Sequence, residues 1–358
     1  MNQFLFLLFT CLLLFPAGAQ ENNFIISRTY FAGETVHMFS ESRGAAVTVL
    51  ANGKVFLMNK QQEFTEITNL LDEQVIQDVS CIESVNEEIF LIGTHSHSLY
   101  LYENGEVTNL KSLNPSLPDQ INSIDFSGFE QSNQIMVATS ENVFISSDFR
   151  HYVSAPLPYT NDVRFFESRA TTLLNQYDRC GELPDNLGLQ VHGSFGTVLY
   201  GIYQDDTYNF ERLNAVHFVK KGYGSGTYNL FALYGTDNGI YAHHINSCSK
   251  EVVRHFSGNE VYDFSSTGLG LPTKSILVAT EEGLLSLETN AHYYDVYNPV
   301  YVTLPGIERA TVVTYSIYHN NIWVATNDGL KVINEALVIL SSVITFNPSF
   351  VATQMLLW

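Results

Sequence analysis

His95-Ser96-His97 places two imidazoles two residues apart. On a strand they would share one face, and in a turn they could pinch a metal, because neutral imidazole is a common ligand. No nearby Cys or carboxylate completes a ligand set, so the pair reads as surface turn residues. His243-His244 are adjacent, which on a strand sends the two side chains to opposite faces and argues against one shared ion. Asp205-Asp206, flanked by Tyr203 and Tyr208, could hold Ca²⁺ or stack a sugar. A calcium loop needs several oxygens at defined spacing, and no D-x-D-x-D-G string occurs, so a solvated turn is expected. Gly193-Ser194-Phe195-Gly196 lacks the spacing of a nucleophile elbow. Gly222-Tyr223-Gly224-Ser225-Gly226 lacks the Lys and Ser/Thr of a phosphate loop. No catalytic, cofactor-binding or metal-ligating residue is assigned, and no cofactor is expected.

The elements that would have to position such residues are repetitive. Ile322-Trp323-Val324-Ala325-Thr326-Asn327-Asp328-Gly329-Leu330 is an apolar strand, a polar turn with Gly, and a second apolar strand. Related strings occupy residues 274–284, 230–240, 134–143, 89–99 and 47–55. Thr94 to Thr139, Thr236 to Thr280 and Thr280 to Thr326 are each separated by one propeller-blade period of ~40–50 residues. The gap from Thr139 to Thr236 is roughly two periods, and residues 189–199 supply a hidden copy. The Asn-Asp-Gly, Asp-Asn-Gly and Glu-Glu-Gly turns suit hairpins, because Gly reaches positive φ without a Cβ penalty. Strands nearly continuous in apolar residues suit a sheet covered on both faces. The expectation is an all-β protein, a β-propeller of seven blades of four antiparallel strands, with six or eight blades as alternatives.

If each copy gives the second and third strands of a blade, its turns emerge together on one face of the disc. That face would collect Asn52, His95, His97, Glu141, Asp237, Asn238, Glu281, Glu282, Asn327 and Asp328 as an acidic recognition surface. The strand-like residues 24–31 precede the first copy and can complete the last sheet.

The formal net charge is −20, from 17 basic and 37 acidic residues. Nucleic acid is therefore excluded as a partner, since phosphate binding needs clustered Lys and Arg and Lys220-Lys221 is the one adjacent basic pair. An aromatic content of 13% argues against disorder. Residues 4–15 are almost unbroken Phe and Leu and precede Pro16-Ala17-Gly18-Ala19. This predicts a secretory signal over residues 1–19, too short to span a bilayer, and a secreted or periplasmic protein. Cys81, Cys180 and Cys248 remain after cleavage. Cys180 and Cys248 lie in loop-like contexts and are the candidate disulfide, while Cys81 is expected to be buried and unpaired. The propeller is expected over residues 20–346, with residues 347–358 a tail that begins a truncated region. Residues 336–358 carry no charge, and their β-branched residues favour strands over a transmembrane anchor.

The string at Ile322 to Leu330 resembles the two-component-regulator propeller repeat, known from the periplasmic sensing parts of some bacterial hybrid histidine kinases and from other exported bacterial propellers. The copies ending near Leu284 and Leu330 match best. The resemblance implies an exported bacterial propeller and no particular chemistry, because this repeat defines blades. Ser146-Ser147-Asp148-Phe149-Arg150-His151-Tyr152 resembles, more distantly, the Asp-box turn of sialidase-like propellers. Arg150 stands in place of its Gly, and Tyr152 comes one residue early. Such a box stabilises a turn and carries no catalysis.

Two functions follow as expectations. The first is an exported binding or interaction module for a protein, peptide or glycan. The alternative is a propeller enzyme of glycosidase or lyase type, which would cluster carboxylates, or a His with carboxylates, at the central channel.

Overall fold

The structure, a computed structural model, describes residues 25–126, 134–139, 141–155, 165–167, 190–194, 197–201, 213–223, 227–244, 252–256, 259–267, 275–288 and 301–334. Ile26–Ile333 form one compact unit. Met1–Ile25 and Asn334–Trp358 group as a second, of which only Ile25 and Asn334 are described. The expected signal sequence, the tail, Cys180, Cys248 and Asp205-Asp206 lie outside the described residues.

Among the described residues the elements are strands, two short 3-10 turns and one short helix. The chain begins with β1 (Ile25–Tyr30). Blade I contains β2 (Val36–Ser42), β3 (Ala45–Leu50), β4 (Val55–Met58) and β5 (Phe64–Glu66). The helix α1 (Glu73–Gln77) follows, capped by the Asp72 side chain, which accepts from the Gln74 N–H. Blade II contains β6 (Val79–Ser84), β7 (Ile89–Thr94), β8 (Leu99–Glu103) and β9 (Glu106–Asn109). Blade III contains β10 (Ile121–Phe126), β11 (Ile135–Thr139), β12 (Val143–Ser146) and β13 (Val153–Ala155). Next come β14 (Phe165–Glu167), β15 (Gln190–Ser194) and β16 (Thr197–Gly201). Blade IV contains β17 (Leu213–Tyr223), β18 (Thr227–Thr236), β19 (Gly239–His244) and β20 (Val252–Phe256). Blade V contains β21 (Val261–Thr267), β22 (Ser275–Thr280), β23 (Gly283–Glu288) and β24 (Tyr301–Leu304). Blade VI contains β25 (Ala310–Ser316), β26 (Asn321–Thr326) and β27 (Gly329–Asn334), and β1 pairs with β27 to complete its sheet.

The fold is a β-propeller of four-stranded antiparallel blades. The count corrects the expectation of seven: there are six four-stranded blades among the described residues. The hidden copy at residues 189–199 does form a hairpin, β15 with β16, but β14 pairs on the β16 side and the sheet has three strands, in the order β14-β16-β15. A turn period counts hairpins, which form locally. In the six complete blades the inner strand immediately precedes its hairpin in sequence, whereas among the described residues β15 pairs with β16 alone.

The blades pack through apolar faces, as the unbroken strands anticipate. Between blades I and II, Val47, Val49 and Val55 meet Val79, Ile82 and Phe90, all buried. Between VI and I, Trp323 and Val332 meet Phe39 and Met58, with the Trp323 ring stacked on Phe39 at 5.5 Å and on Tyr30 at 5.8 Å. First strands of successive blades are neighbours: β2 touches β6 and β25, β6 touches β10, and β21 touches β17 and β25. They form the inner row of strands, running β17, β21, β25, β2, β6, β10 among the described residues. In every blade the first residue of the inner strand pairs with the residue that opens the turn, as Val79 with Thr94 or Ala310 with Thr326. All these turns therefore lie on one face.

The recurring threonine has a specific task. Thr94, Thr139, Thr236, Thr280 and Thr326 are all buried. Each donates its hydroxyl across the turn to a carbonyl: Ser98, Asn142, Gly239, Gly283 and Gly329 at 2.7–2.9 Å. In four of the five, a backbone N–H within the turn donates back to the hydroxyl, as Asp328 N–H does to Thr326 at 3.1 Å. Replacing Thr326 with Val keeps the shape, removes both bonds and leaves polar backbone in a buried turn. Thr326→Val should lower unfolding free energy by about 1–2 kcal/mol in chemical denaturation. Gly329 follows at φ +93, and a Cβ there would stand 2.5 Å from the Tyr30 carbonyl oxygen. Gly329→Ala should cost about 1–3 kcal/mol and depress the thermal midpoint.

Candidate functional site

The turn face is built from the residues that vary around the threonine–glycine frame. His95, His97, Glu141, Glu281, Glu282, Asn327, Asp328 and Asn52 are exposed there, and Asp237 and Asn238 are half-buried. They lie at the turns of one face and are spread over separate blades. Among the described residues no three His, Cys, Asp or Glu side chains are grouped to hold a metal.

Several of these residues fasten the turns to the connectors between blades. His97 Nδ1 lies 2.8 Å from Asp78 Oδ2, the Ser96 N–H and hydroxyl donate to the same oxygen at 2.7 and 2.8 Å, and the His95 N–H donates to the Asp78 carbonyl at 2.9 Å. Burial pushes the Asp78 carboxyl up, but the hydrogen bonds from His97 and Ser96 outweigh it and hold the group below its ordinary value. The His95-Ser96-His97 motif is thus a clip on one aspartate. Asp328 Oδ1 accepts from the Gly33 N–H at 3.0 Å, Glu282 accepts from Asn259 at 2.7 Å, and Asn52 donates to Glu34 at 3.0 Å.

The Asp-box-like stretch is a turn between β12 and β13, with Asp148 as its hub. Asp148 Oδ1 accepts from the Ser146 hydroxyl and from the Arg150 and His151 N–H groups at 2.8–3.1 Å. The ring of His151 lies 2.6 Å from the other carboxylate oxygen, and this bond leads in depressing the Asp148 carboxyl well below the usual range. His243 and His244 fall on β19. Cys81 is half-buried on β6, forms no disulfide among the described residues, and its sulfur accepts from the Ser80 hydroxyl at 3.7 Å.

The inner row was not legible in the sequence. Each of the six inner strands carries a register shift after its first residue, which leaves His37, Ser80, Asn122, Asn214, Tyr262 and Thr311 as bulged residues. Three of these side chains latch onto the first carbonyl of the next inner strand. Ser80 donates to Ile121 O at 2.6 Å, Asn214 to Val261 O at 2.9 Å, and Thr311 to Val36 O at 3.4 Å. Further along, polar side chains accept from free N–H groups of the next inner strand: Ser40 from Ser84, Asp263 from Val313 and Ser265 from Tyr315, at 2.9–3.0 Å. Glu83 accepts from the Ser40 hydroxyl at 3.0 Å. An inner strand is an edge strand, and these groups satisfy its exposed backbone. The sequence signal was available, a bulge-tolerant polar residue second in each inner strand, but it emerges only once the strands are aligned by their pairing.

At the opposite rim, Glu41 near the end of β2 accepts from the Gly44 N–H at 2.8 Å. Burial pushes its carboxyl up to about 7, against weaker opposing hydrogen bonds from Gly44 and Ser316. Its proton is bound more tightly in the folded chain than in the unfolded one. Its contribution to stability is full below pH 4.5 and is lost as pH rises through about 7, a change on the order of 3 kcal/mol. Glu41→Gln should remove this component, so that the variant gains stability relative to wild type between those limits when denaturation is followed against pH.

No protein-family model matches the chain. No curated protein sequence matches it either. Among solved structures, the extracellular domain of BT4673 from B. thetaiotaomicron, described as a hybrid two component system, superposes with a TM-score of 0.52 at 11% identity. The match covers 87% of this chain and 39% of that one, so this chain spans about two fifths of its length. A chain of the Mitotic Checkpoint Complex superposes with a TM-score of 0.57 at 11% identity, over 89% of this chain and 94% of that one. At such identities the shared property is the propeller fold. No helix among the described residues is long and apolar enough to cross a membrane.

Proposed function

We propose that the protein is an exported, secreted or periplasmic binding propeller whose turn face recognises a protein, peptide or glycan, without catalysis of its own. The observation that carries this reading is the division of labour within each turn. Threonine and glycine are buried and bear the fold, while Glu141, Glu281, Glu282 and Asp328 stand exposed beside them on one face. Such a face would favour basic or neutral ligands. The apolar leader at residues 4–15 and the extracellular neighbour support export. At the channel, Glu41, Glu83 and Asp263 hold backbone or hydroxyl groups, which is scaffold work.

The test is to screen the purified protein on peptide and glycan arrays and repeat the binding of each hit with Glu281→Lys, Glu282→Lys and Asp328→Lys combined. The expected outcome is at least about a tenfold loss of affinity, with a double variant, Glu141→Lys with Glu281→Lys, giving a partial loss outside the Asp328 clip. Hits bound equally by wild type and both variants would remove the turn face as the recognition surface.

A further inference from the structure

Of the six bulged residues of the inner strands, Ser80, Asn214 and Thr311 latch the next inner strand and, among the described residues, His37, Asn122 and Tyr262 do not; His37 is the one of these three that lines a cavity. It stands second in β2, where Ser80, Asn214 and Thr311 reach the next blade's first carbonyl. The corresponding carbonyl for His37 is that of Val79, but among the described residues the His37 side chain makes no latch to it, and both residues line a cavity of about 830 Å³. That volume is within the usual range for small-molecule sites. The imidazole is exposed to the cavity, yet surrounding protein, and secondarily His95, lowers its pKa from 6.5. Both effects favour the neutral ring, in which one nitrogen is an acceptor.

The rest of the lining narrows the ligand. Val49, Leu50, Leu71, Ile76 and Val79 border it with aliphatic side chains that are each less than a tenth exposed, so the apolar floor is narrow. Asn52, Thr68, Glu73 and Gln77 contribute the polar groups. Glu73 is the one charged side chain of the lining, and Lys and Arg are absent from it. One Glu73 oxygen accepts from Gln77 at 3.1 Å across a turn of α1, which orients the carboxylate. No aromatic platform for a sugar ring is present, and an anion would meet only acidic and neutral groups.

We propose that this cavity binds an aliphatic primary amine, with Glu73 as the counter-charge, His37 as an acceptor on the wall, and the methylenes against Leu50, Leu71, Ile76 and Val79. The chemistry is shared by a free alkylamine and by a lysine side chain of a partner. The site is separate from the acidic turns tested above, since neither Glu73 nor His37 belongs to that set, so either reading can fail alone.

The experiment is titration calorimetry of the folded protein with n-hexylamine, N-acetyl-lysine amide, n-hexanol and hexanoate. Hexylamine is expected to bind at least about tenfold more tightly than hexanoate. Comparable binding of N-acetyl-lysine amide identifies a partner's lysine as the source, and binding of hexylamine alone identifies a free amine. Glu73→Gln should weaken hexylamine about tenfold and leave hexanol unchanged. His37→Ser, which restores the latch residue used by blade II, should also weaken the amine without loss of thermal stability. Ala51→Trp, on the exposed turn at the mouth, should abolish binding of every probe. Equal binding of hexylamine and hexanoate, or amine binding unchanged in both Glu73→Gln and Ala51→Trp, would overturn the proposal.

Discussion

A propeller has to close on itself, and here closure is made by backbone pairing between the two ends of the described chain. β1 adds to β27, so one sheet is built from strands some three hundred residues apart in sequence. The Ser27 hydroxyl donates to the Val332 carbonyl at 3.1 Å, and Tyr30 and Trp323 stack beneath the join. Without that strand, β27 would present an unpaired edge and the blade VI–blade I core would lose one of its walls. The join also fixes where blade VI meets blade I, with β25 and β2 as neighbouring inner strands and Trp323 against Phe39. The low-contact-order hairpins can form early, but the closing strand must await both ends.

Within the propeller, two hydrogen-bond systems are repeated and do different things. The threonine brackets act inside a blade and fix the turn geometry. The bulge latches act between blades and satisfy the inner edge. Both use small hydroxyl or amide side chains in places where an apolar residue of the same size would leave backbone groups unpaired. The same logic absorbs several residues whose types suggested chemistry. His97 and Ser96 serve Asp78, Asp148 organises the β12–β13 turn, and Glu83 and Asp263 secure neighbouring strands.

Repetition also makes departures informative. His37 occupies a latch position, makes no latch among the described residues, and lines a cavity. The three-stranded sheet departs in another way: its hairpin follows the repeat, with Ser194 opposite Thr197 as Thr326 is opposite Gly329, but among the described residues no inner strand joins it. A local signal was enough for the hairpin and insufficient for the blade.

The sequence by itself determined the strand–turn–strand unit, the propeller class and the closing strand at residues 24–31, because apolar runs, turn glycines and period are local properties read along the chain. It also placed the acidic residues beside the turns. It did not determine the number of complete blades, because the hairpin motif marks two strands of a sheet and not the flanking strands that complete it, nor which titratable groups were already engaged. Asp78 with His97, Ser40 with Glu83 and His37 with its cavity are all relations between residues on different strands or connectors. Only tertiary structure decides these, because hydrogen bonding and desolvation depend on distance in space, and a repeat fixes distance only within its own hairpin.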